Sequence, residues 1–421
     1  MGAKKLKAIS IVAKAKPLEG EDREQFRALL REHGDLLKSH KRRVKMHTFG
    51  TTFLAQMMRE MGILPVRNFQ MGDMEGIESI FTEAYTRMRT GTHGCFNCMT
   101  RCGQVHVVQD GPYAGSQSEG PEYETIWALG PQVGNTDAGV TVEGDRLCDL
   151  LGLDTISTGS VIGFAMELFQ RGIIVTNDTD GVELYWGDSC VIVDLIKKIA
   201  AREGFGRILG EGTRRAAEQL GRGAEKYAIH AKGLELPAYE PRAAKTHGLS
   251  MATSNIGASH MYGYARQEIS GKGGPRPVDR FADQGNGDIA AYNQIGKALE
   301  ETGILCNFAD SGMTHELLGK LYAAAAGFQE FADPSHLNLV GERIVTLERC
   351  FNVREGFSRK DDTLPERMTT EQLQNAGPAT GQVVRNLDAL LDEYYNALGY
   401  SKDGIPTKET LDRLGLDNVS L

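Results

Sequence analysis

The nonapeptide GCFNCMTRC constrains this chain more than any other stretch, because it places Cys95, Cys98 and Cys102 in C-x2-C-x3-C spacing. Thiolates so close in sequence face one metal centre only if the backbone wraps around it, and thiolates select zinc or iron–sulfur clusters. A structural zinc site usually takes its fourth ligand from a second close pair of residues. The sequence has no such pair, so the spacing favours an iron–sulfur cluster with one distant fourth ligand. Zinc and purely structural or redox-active thiols are the alternatives.

Four further cysteines lie apart from this motif. Cys190 and Cys350 fall in or beside helical, apolar patterns, which predicts that both are buried structural thiols. Cys148 and Cys306 differ from these, because Cys148 borders and Cys306 ends one of two hexapeptides with a similar sequence pattern. Cys306 is therefore a candidate for the distant cluster ligand.

The shared pattern appears in DLLGLD (Asp149–Asp154) and ETGILC (Glu301–Cys306). Each segment places a carboxylate five residues before a second polar or metal-binding group, with a leucine just before that group. A carboxylate accepts two parallel hydrogen bonds from an amino-heterocycle, so two such segments suggest paired arms that hold one cofactor. A helix that ends at a glycine would explain either segment alone.

Several ionisable residues lie in apolar or glycine-rich surroundings. Glu119, Glu122 and Glu124 occur in SEGPEYETIWALG, where proline and aromatic neighbours favour partial burial. Burial raises a carboxylate's pKa and suits it for proton transfer, although a capping or ion-paired glutamate is the plainer interpretation. His260 ends ATSNIGASH, whose small residues would let a ligand approach closely. A histidine there is more often simply hydrogen-bonded than catalytic.

Composition excludes several functional classes. The 421 residues carry a net charge of -9, whereas proteins that bind duplex nucleic acid usually present a clustered basic face. The basic run KSHKRRVK (38–45) is short and isolated, and we interpret it as a solvated face in preference to a patch that binds a partner. The sequence lacks the roughly 18 consecutive apolar residues of a membrane span and lacks a signal peptide, which predicts a cytoplasmic protein.

Hydrophobic periodicity predicts a mainly α fold with few and short strands. A glycine-rich polar stretch at Gly221–Lys226 indicates the main internal boundary. Strands are predicted at Leu6–Ala13 and Val105–Val108. Helices are predicted at Glu21–Glu32, ending at Gly34, and at Ser160–Arg171 with Ser157 or Thr158 as cap, Ser189–Arg202, Glu211–Leu220, Ile289–Thr302 and His315–Ala325.

Several segments together resemble the aldehyde ferredoxin oxidoreductases. They are MGAKKLKAI, GCFNCMTRC, EGPEYETIWALG, CDLLGLDTISTG, KGLELPAYEPR, ATSNIGASH, LERCFNVREGFSRKDDTLPERM and DEYYNALGYSKDGIPTKETLDRLGL. The resemblance runs in order from Met1 to the C-terminal region. It implies two helical domains, at 13–222 (with the cluster cysteines) and 223–421. Residues 1–12 would then be the end of an N-terminal pterin-binding β domain that this chain lacks.

The same resemblance implies roles for individual residues. Cys95, Cys98, Cys102 and Cys306 would bind a [4Fe–4S] cluster, and Glu124 and His260 would line the substrate pocket. The family oxidises an aldehyde to a carboxylic acid and passes two electrons, one at a time, through the cluster to ferredoxin. Magnesium is a further candidate cofactor. The residues expected to hold a tungsten or molybdenum bis-pterin (molybdopterin) are Asp149, Gly152, Leu153, Asp154, Glu301 and Leu305.

Two departures from the family pattern affect these expectations. Glu301 stands where aspartate is usual in the family, and Ile304 stands where glycine is usual. The segment Glu301–Cys306, the second arm, is therefore expected to bind the cofactor with a different geometry. The β domain is expected either as a separate N-terminal pterin-binding chain, which would be a partner, or as a part missing from a truncated sequence. We expect this chain alone to retain tungsten poorly. Two alternative functions are a related tungsten reductase of aromatic thioesters and a non-catalytic iron–sulfur electron-transfer subunit.

Overall fold

The computed structural model describes residues 5–12, 20–271, 273–309 and 312–421. Helices dominate it and strands are few and short, which confirms the mainly α fold. The strands β1 to β5 are Arg89–His93, Gly103–Val107, Gln117–Ser118, His230–Ala231 and Leu234–Glu235. The α-helices, α1 to α18 in chain order, are Arg23–Ser39, Lys41–Phe49, Phe53–Glu60, Thr82–Met88, Tyr123–Leu129, Ala138–Leu151, Thr155–Gln170, Ser189–Ala201, Gly206–Leu209, Thr213–Leu220, Lys245–Thr253, Arg266–Ser270, Gly287–Thr302, His315–Ala326, Pro334–Arg354, Glu366–Thr370, Leu387–Leu398 and Lys408–Leu414.

The first helix is longer than its sequence pattern predicts. It begins after Asp22, whose carboxylate accepts the backbone N–H of Gln25 at 3.0 Å, and it continues past Gly34 to Ser39. The predicted end at Gly34 is therefore wrong. An isolated glycine costs a helix only about 1 kcal/mol, and here burial of Leu37 beyond it favours continuation.

Helix α7 also begins earlier than predicted. Its N-cap is Asp154, which accepts the backbone N–H of Ser157 at 2.7 Å, so neither Ser157 nor Thr158 is the cap. The preceding helix α6 ends at Gly152, which has a φ of +71° that favours glycine. The DLLGLD segment is thus the last turn of α6 and the short connection to α7.

The cysteine motif joins two strands of a small antiparallel sheet. Strand β1 pairs with β2, with Arg89 opposite His106 and His93 opposite Gly103, and β2 pairs with β3. Strand β2 confirms the strand predicted near Val105. Residues 94–102 therefore form the connection of a β-hairpin, and the sheet fixes both ends of the cysteine loop.

The largest hydrophobic core includes residues on both sides of the boundary predicted at 222. Ile63 and Trp127 belong to it, together with Leu236, Met251 and Leu373. A second core lies mainly within α6 to α10, and a third lies mainly within α11, α13, α15 and α17. The division into two domains stays a prediction, and the shared core joins the two parts.

The described N-terminal residues 5–12 contain no strand. Ile9, Ile11 and Val12 are 70%, 83% and 80% exposed. The strand predicted at Leu6–Ala13 is therefore wrong over residues 6–12, and Ala13 lies outside the described residues. A strand is stable only when its backbone groups pair with a neighbour, and none pairs with residues 5–12 among the described residues.

In the described part of the chain, no single helix is long and apolar enough to cross a bilayer. Only the pair α6 and α7 meets the length and composition criteria together, and the two helices are bent by 117° at their junction.

Candidate functional site

The loop 94–102 is tightly folded and leaves its cysteines accessible. Asn97 and Arg101 have positive φ values, and Cys98 donates its backbone N–H to the carbonyl of Cys95 at 3.1 Å. Cys95 is exposed, whereas Cys98 and Cys102 are half-buried, and all three are free thiols. The loop is therefore compact, and its three thiols are free to bind a ligand.

The structure brings Cys306 near this loop. Burial, followed by the nearby Glu122, Cys306 and Cys98, raises the pKa of the Cys102 thiol to about 11. Cys306 is exposed, and its sulfur lies 3.4 Å from the backbone nitrogen of Phe308. Two chain segments therefore contribute thiols to one region, as a distant fourth ligand requires.

The number and type of these donors fit an iron–sulfur cluster. Among the described residues, no three His, Cys, Asp or Glu side chains converge on one metal-ion position. A [4Fe–4S] cluster instead takes four cysteine thiolates, each bound to a different iron. The free thiols of Cys95, Cys98, Cys102 and Cys306 supply that number from two adjacent segments.

The first candidate cofactor arm is open to solvent. Asp149 is exposed, Leu150 and Leu151 are 70% and 44% exposed, and a Cβ added at Gly152 would meet no atom within 4 Å. Asp154 is exposed too, but one carboxylate oxygen caps α7. An accessible carboxylate beside an open glycine fits the binding of a planar amino-heterocycle. Leu153, the arm's remaining predicted residue, is half-buried and packs on the second core.

The second arm lies at the end of α13. Glu301 is exposed and forms an ion pair with Lys297 at 3.5 Å, one helical turn away. Leu305 is half-buried and donates its backbone N–H to the carbonyl of Glu300 at 3.1 Å. One oxygen of the Glu301 carboxylate therefore pairs with Lys297, and the exposed side chain stays accessible to a ligand.

Ile304 occupies a backbone conformation that favours glycine. Its φ is +55°, and its side chain is 94% exposed. We expect Ile304→Gly to raise the free energy of unfolding by about 1 kcal/mol, because it removes left-handed strain and gives up little packing. Chemical denaturation measures this change. The matched control Ile256→Gly, at an exposed isoleucine without positive φ, should lower stability, and equal effects of both substitutions would contradict the argument.

Glu124 and His260 lie side by side. Glu124 is in the first turn of α5, where one carboxylate oxygen accepts the backbone N–H of Ala238 at 2.9 Å. Its other oxygen is buried without a hydrogen-bond partner and lies 3.8 Å from Nε2 of His260. Burial raises the pKa of Glu124, and the nearby His260 partly opposes that shift. The pair is therefore a buried carboxyl group of raised pKa beside an imidazole.

An aromatic cluster surrounds this pair. The ring of Tyr239 stacks on His260, with centroids 5.8 Å apart and planes 19° apart. Tyr123, His247 and Tyr264 each pack edge-on against Tyr239. Burial, followed by the nearby His260, lowers the pKa of His247 to about 3, so this imidazole is neutral. These rings fix the orientation of His260, since buried aromatic pairs prefer defined geometries.

Sequence reasoning did not single out Tyr239 or His247. Only their positions in the sequence could have pointed to them. Tyr239 lies in the segment KGLELPAYEPR, and His247 lies 13 residues before His260. No periodicity predicts that the two rings meet. Their contact depends on how the loop before α11 folds back onto α5.

The other acidic candidates have structural partners. The half-buried carboxylate of Glu122 accepts a hydrogen bond from the Thr51 hydroxyl, and partial burial raises its pKa. Glu119 is 73% exposed and lies 3.8 Å from His93. Neither carboxylate is paired with His260, so Glu124 alone of the three combines burial with an unpartnered oxygen beside that imidazole.

Three cysteines lie outside the cluster set. Cys350 is buried, as predicted, but Cys190 is exposed, so the prediction for Cys190 is wrong. Cys190 follows the N-cap Asp188 in the first turn of α8, where side chains at this position face solvent while Val191 and Ile192 face the core. Cys148 is buried, which raises the pKa of its thiol to about 12.

Comparisons with known proteins identify the family of the chain. Residues 28–416 match the family model described as aldehyde ferredoxin oxidoreductase, domains 2 & 3. The tungsten-containing aldehyde ferredoxin oxidoreductase of Pyrococcus furiosus is 36% identical over 99% of this chain, which spans 68% of that relative. A second relative from the same organism is described as aliphatic sulfonate oxidoreductase, WOR-like subunit. It is 32% identical to this chain, and the match covers 99% of this chain and 65% of that relative.

A solved structure shares the fold. The active site complex BamBC of benzoyl coenzyme A reductase, in complex with 1,5-dienoyl-CoA, superposes with a TM-score of 0.70. The superposition covers 94% of this chain and 66% of the matched chain of the complex, at 22% sequence identity. The chain belongs to the aldehyde ferredoxin oxidoreductase family and corresponds to its domains 2 and 3.

Proposed function

We propose that this chain is the part of an oxidoreductase that oxidises aldehydes to carboxylic acids and passes the electrons through a [4Fe–4S] cluster to ferredoxin. The aldehyde and one water become the acid, two protons and two electrons, and ferredoxin accepts the electrons one at a time. The observation that carries this proposal is the buried, unpartnered oxygen of Glu124 3.8 Å from His260. A carboxyl group of raised pKa beside an imidazole suits a reaction that releases protons.

The residues of the two arms would hold the redox cofactor. Asp149, Gly152, Leu153 and Asp154 form one arm, and Glu301 and Leu305 form the other. A tungsten or molybdenum bis-pterin bound there would supply the two-electron acceptor and the Lewis acid. The open surface at Asp149 and Gly152 supports this assignment.

The chain's own residues would manage the proton and the substrate oxygen. Glu124 would accept the proton that the attacking water loses, since its unpartnered oxygen lacks any donor in the described structure. His260 would donate a hydrogen bond to the aldehyde oxygen, where negative charge develops. Tyr239 would hold the His260 ring in place by stacking. The surrounding aromatic cluster would exclude bulk water and thereby strengthen these interactions.

The proposal is tested with cofactor-loaded protein, assembled with a pterin-binding chain where the native source supplies one. Aldehydes of several sizes, aromatic thioesters and aliphatic sulfonates are each assayed with an artificial electron acceptor or donor. We expect turnover with aldehydes and none with the other two classes. Turnover of a thioester alone would establish the reductase function instead. Absence of turnover in loaded protein would favour a non-catalytic electron-transfer subunit.

A further inference from the structure

Helix α2 is a local concentration of positive charge on an acidic chain. The whole sequence has a net charge of -9, whereas α2 contains Lys41, Arg42, Arg43 and Lys45 within five residues. Lys41 and Lys45 are exposed. Among the residues that the structure describes, Lys41, Arg43 and Lys45 have no carboxylate within ion-pair distance, so their charge is not neutralised locally.

This helix borders both cysteine segments. The guanidinium of Arg43 donates two hydrogen bonds to the carbonyl of Met99, at 3.1 and 2.9 Å. Nδ1 of His47 lies 3.2 Å from the carbonyl of Thr100. The guanidinium of Arg42 lies over the ring of Phe308, 5.5 Å from the ring centroid. Phe308 follows Cys306 by two residues. The basic helix therefore forms one side of the region where the four thiols gather.

Apolar side chains are exposed next to this charge. Phe96 lies between Cys95 and Cys98 and is 89% exposed. Met99 is 36% exposed in the same loop, and Val44 on α2 is 48% exposed. A small apolar centre with a charged rim is typical of surfaces that bind a partner transiently, since the rim steers encounter and the centre supplies contact area.

We propose that α2 and the loop residue Phe96 form the docking surface for a small acidic one-electron carrier protein. The proposal rests on the proposed function, because an electron leaves through this surface only if the cysteines hold a cluster. An acidic carrier complements the uncompensated charges of Lys41, Arg43 and Lys45, whereas the rest of this acidic chain repels it. Phe96 would contact the carrier beside the exposed Cys95, so that each docking event passes one electron from the cluster to the carrier.

Binding of a small acidic ferredoxin to the cluster-loaded protein tests the proposal. The variant Lys41→Glu/Lys45→Glu should bind about tenfold more weakly or worse, because it reverses two rim charges. Raising the salt concentration should weaken binding to the unaltered protein more than binding to this variant. Phe96→Ser should also weaken binding, by about tenfold, and without changing the salt dependence.

A matched control separates local from global charge. Lys402→Glu/Lys408→Glu makes the same change in net charge on exposed residues, and Lys408, like Lys41, is the first residue of a helix. This control should bind the ferredoxin as the unaltered protein does. We expect the test variant to fold, because Lys41 and Lys45 are exposed and an acidic residue at position 41, in the first turn of α2, favours the helix dipole.

The outcomes separate this inference from the proposed function. Weaker binding by the Lys41 and Lys45 variant, with the control unaffected, supports the docking surface even if no aldehyde is oxidised. Turnover with a small neutral electron acceptor should be the same in the variant and the unaltered protein. If the variant and the control bind ferredoxin equally well, the docking surface is overturned, whatever the substrate assays show.

Discussion

Replacing Glu124 with glutamine is expected to lower aldehyde turnover by about 10²- to 10⁴-fold, the usual contribution of a general base. Glutamine keeps the size of the side chain and can still accept the backbone N–H of Ala238, but it cannot accept a proton. The iron and tungsten or molybdenum contents should not change, since Glu124 is not among the proposed ligands. Turnover and metal content are measured on the same preparation.

The pH dependence of the unaltered enzyme provides an independent check. Burial raises the pKa of Glu124, so the basic form is lost at a higher pH than for an ordinary glutamate. We expect kcat/KM to fall with decreasing pH through this raised pKa, and the Glu124→Gln variant to lack that transition. The control Glu119→Gln, at an exposed carboxylate nearby, should leave turnover and the pH profile unchanged. Full turnover in Glu124→Gln would exclude Glu124 as the base.

Replacing Glu167 with alanine is expected to lower the free energy of unfolding by about 3–5 kcal/mol, as removal of one partner from a buried ion pair does. Glu167 on α7 is fully buried and accepts hydrogen bonds from Arg367 of α16, at 3.0 and 2.5 Å. It also accepts hydrogen bonds from Asn68 at 2.7 Å and from Arg171 at 2.8 Å. Its loss would leave the guanidinium of Arg367 buried without its main counter-charge.

This second prediction also tests how the two parts of the chain are joined. Glu167 and Arg367 lie on opposite sides of the boundary predicted at residue 222, so their ion pair links the parts. Chemical denaturation measures the change. The control Glu218→Ala breaks an exposed pair with Arg214 and should cost less than about 1 kcal/mol. A loss of stability at Glu167 no larger than at Glu218 would contradict the assigned role of the buried pair.

Local sequence signals predicted the helices that depend on local chemistry. Helix α8 begins at Ser189, as predicted, because Asp188 caps it and its apolar residues recur at helical spacing. Helix α14 begins at His315 for the same reason, with Thr314 as cap. The structure shows residues 94–102 as a tight hairpin connection, whereas the convergence of their thiols on one metal centre stays a prediction.

The rest depends on contacts between distant segments, which a single sequence does not specify. Tyr239 and His260 stack because loops on either side of α11 fold onto α5, and no spacing encodes that meeting. Asp154 was predicted as a cofactor residue, but its role as the cap of α7 follows from where α6 ends. The basic run on α2 was interpreted as a solvated face, whereas Arg43 reaches the cysteine loop 56 residues away.

The central claim is that Cys95, Cys98, Cys102 and Cys306 hold one [4Fe–4S] cluster. Its most direct test is analysis of iron, acid-labile sulfide, zinc, tungsten and molybdenum in protein purified anaerobically from its native cells. We predict about four irons and four sulfides per chain, together with tungsten or molybdenum when the pterin-binding partner is retained. A chain that carries stoichiometric zinc and no iron would contradict the account.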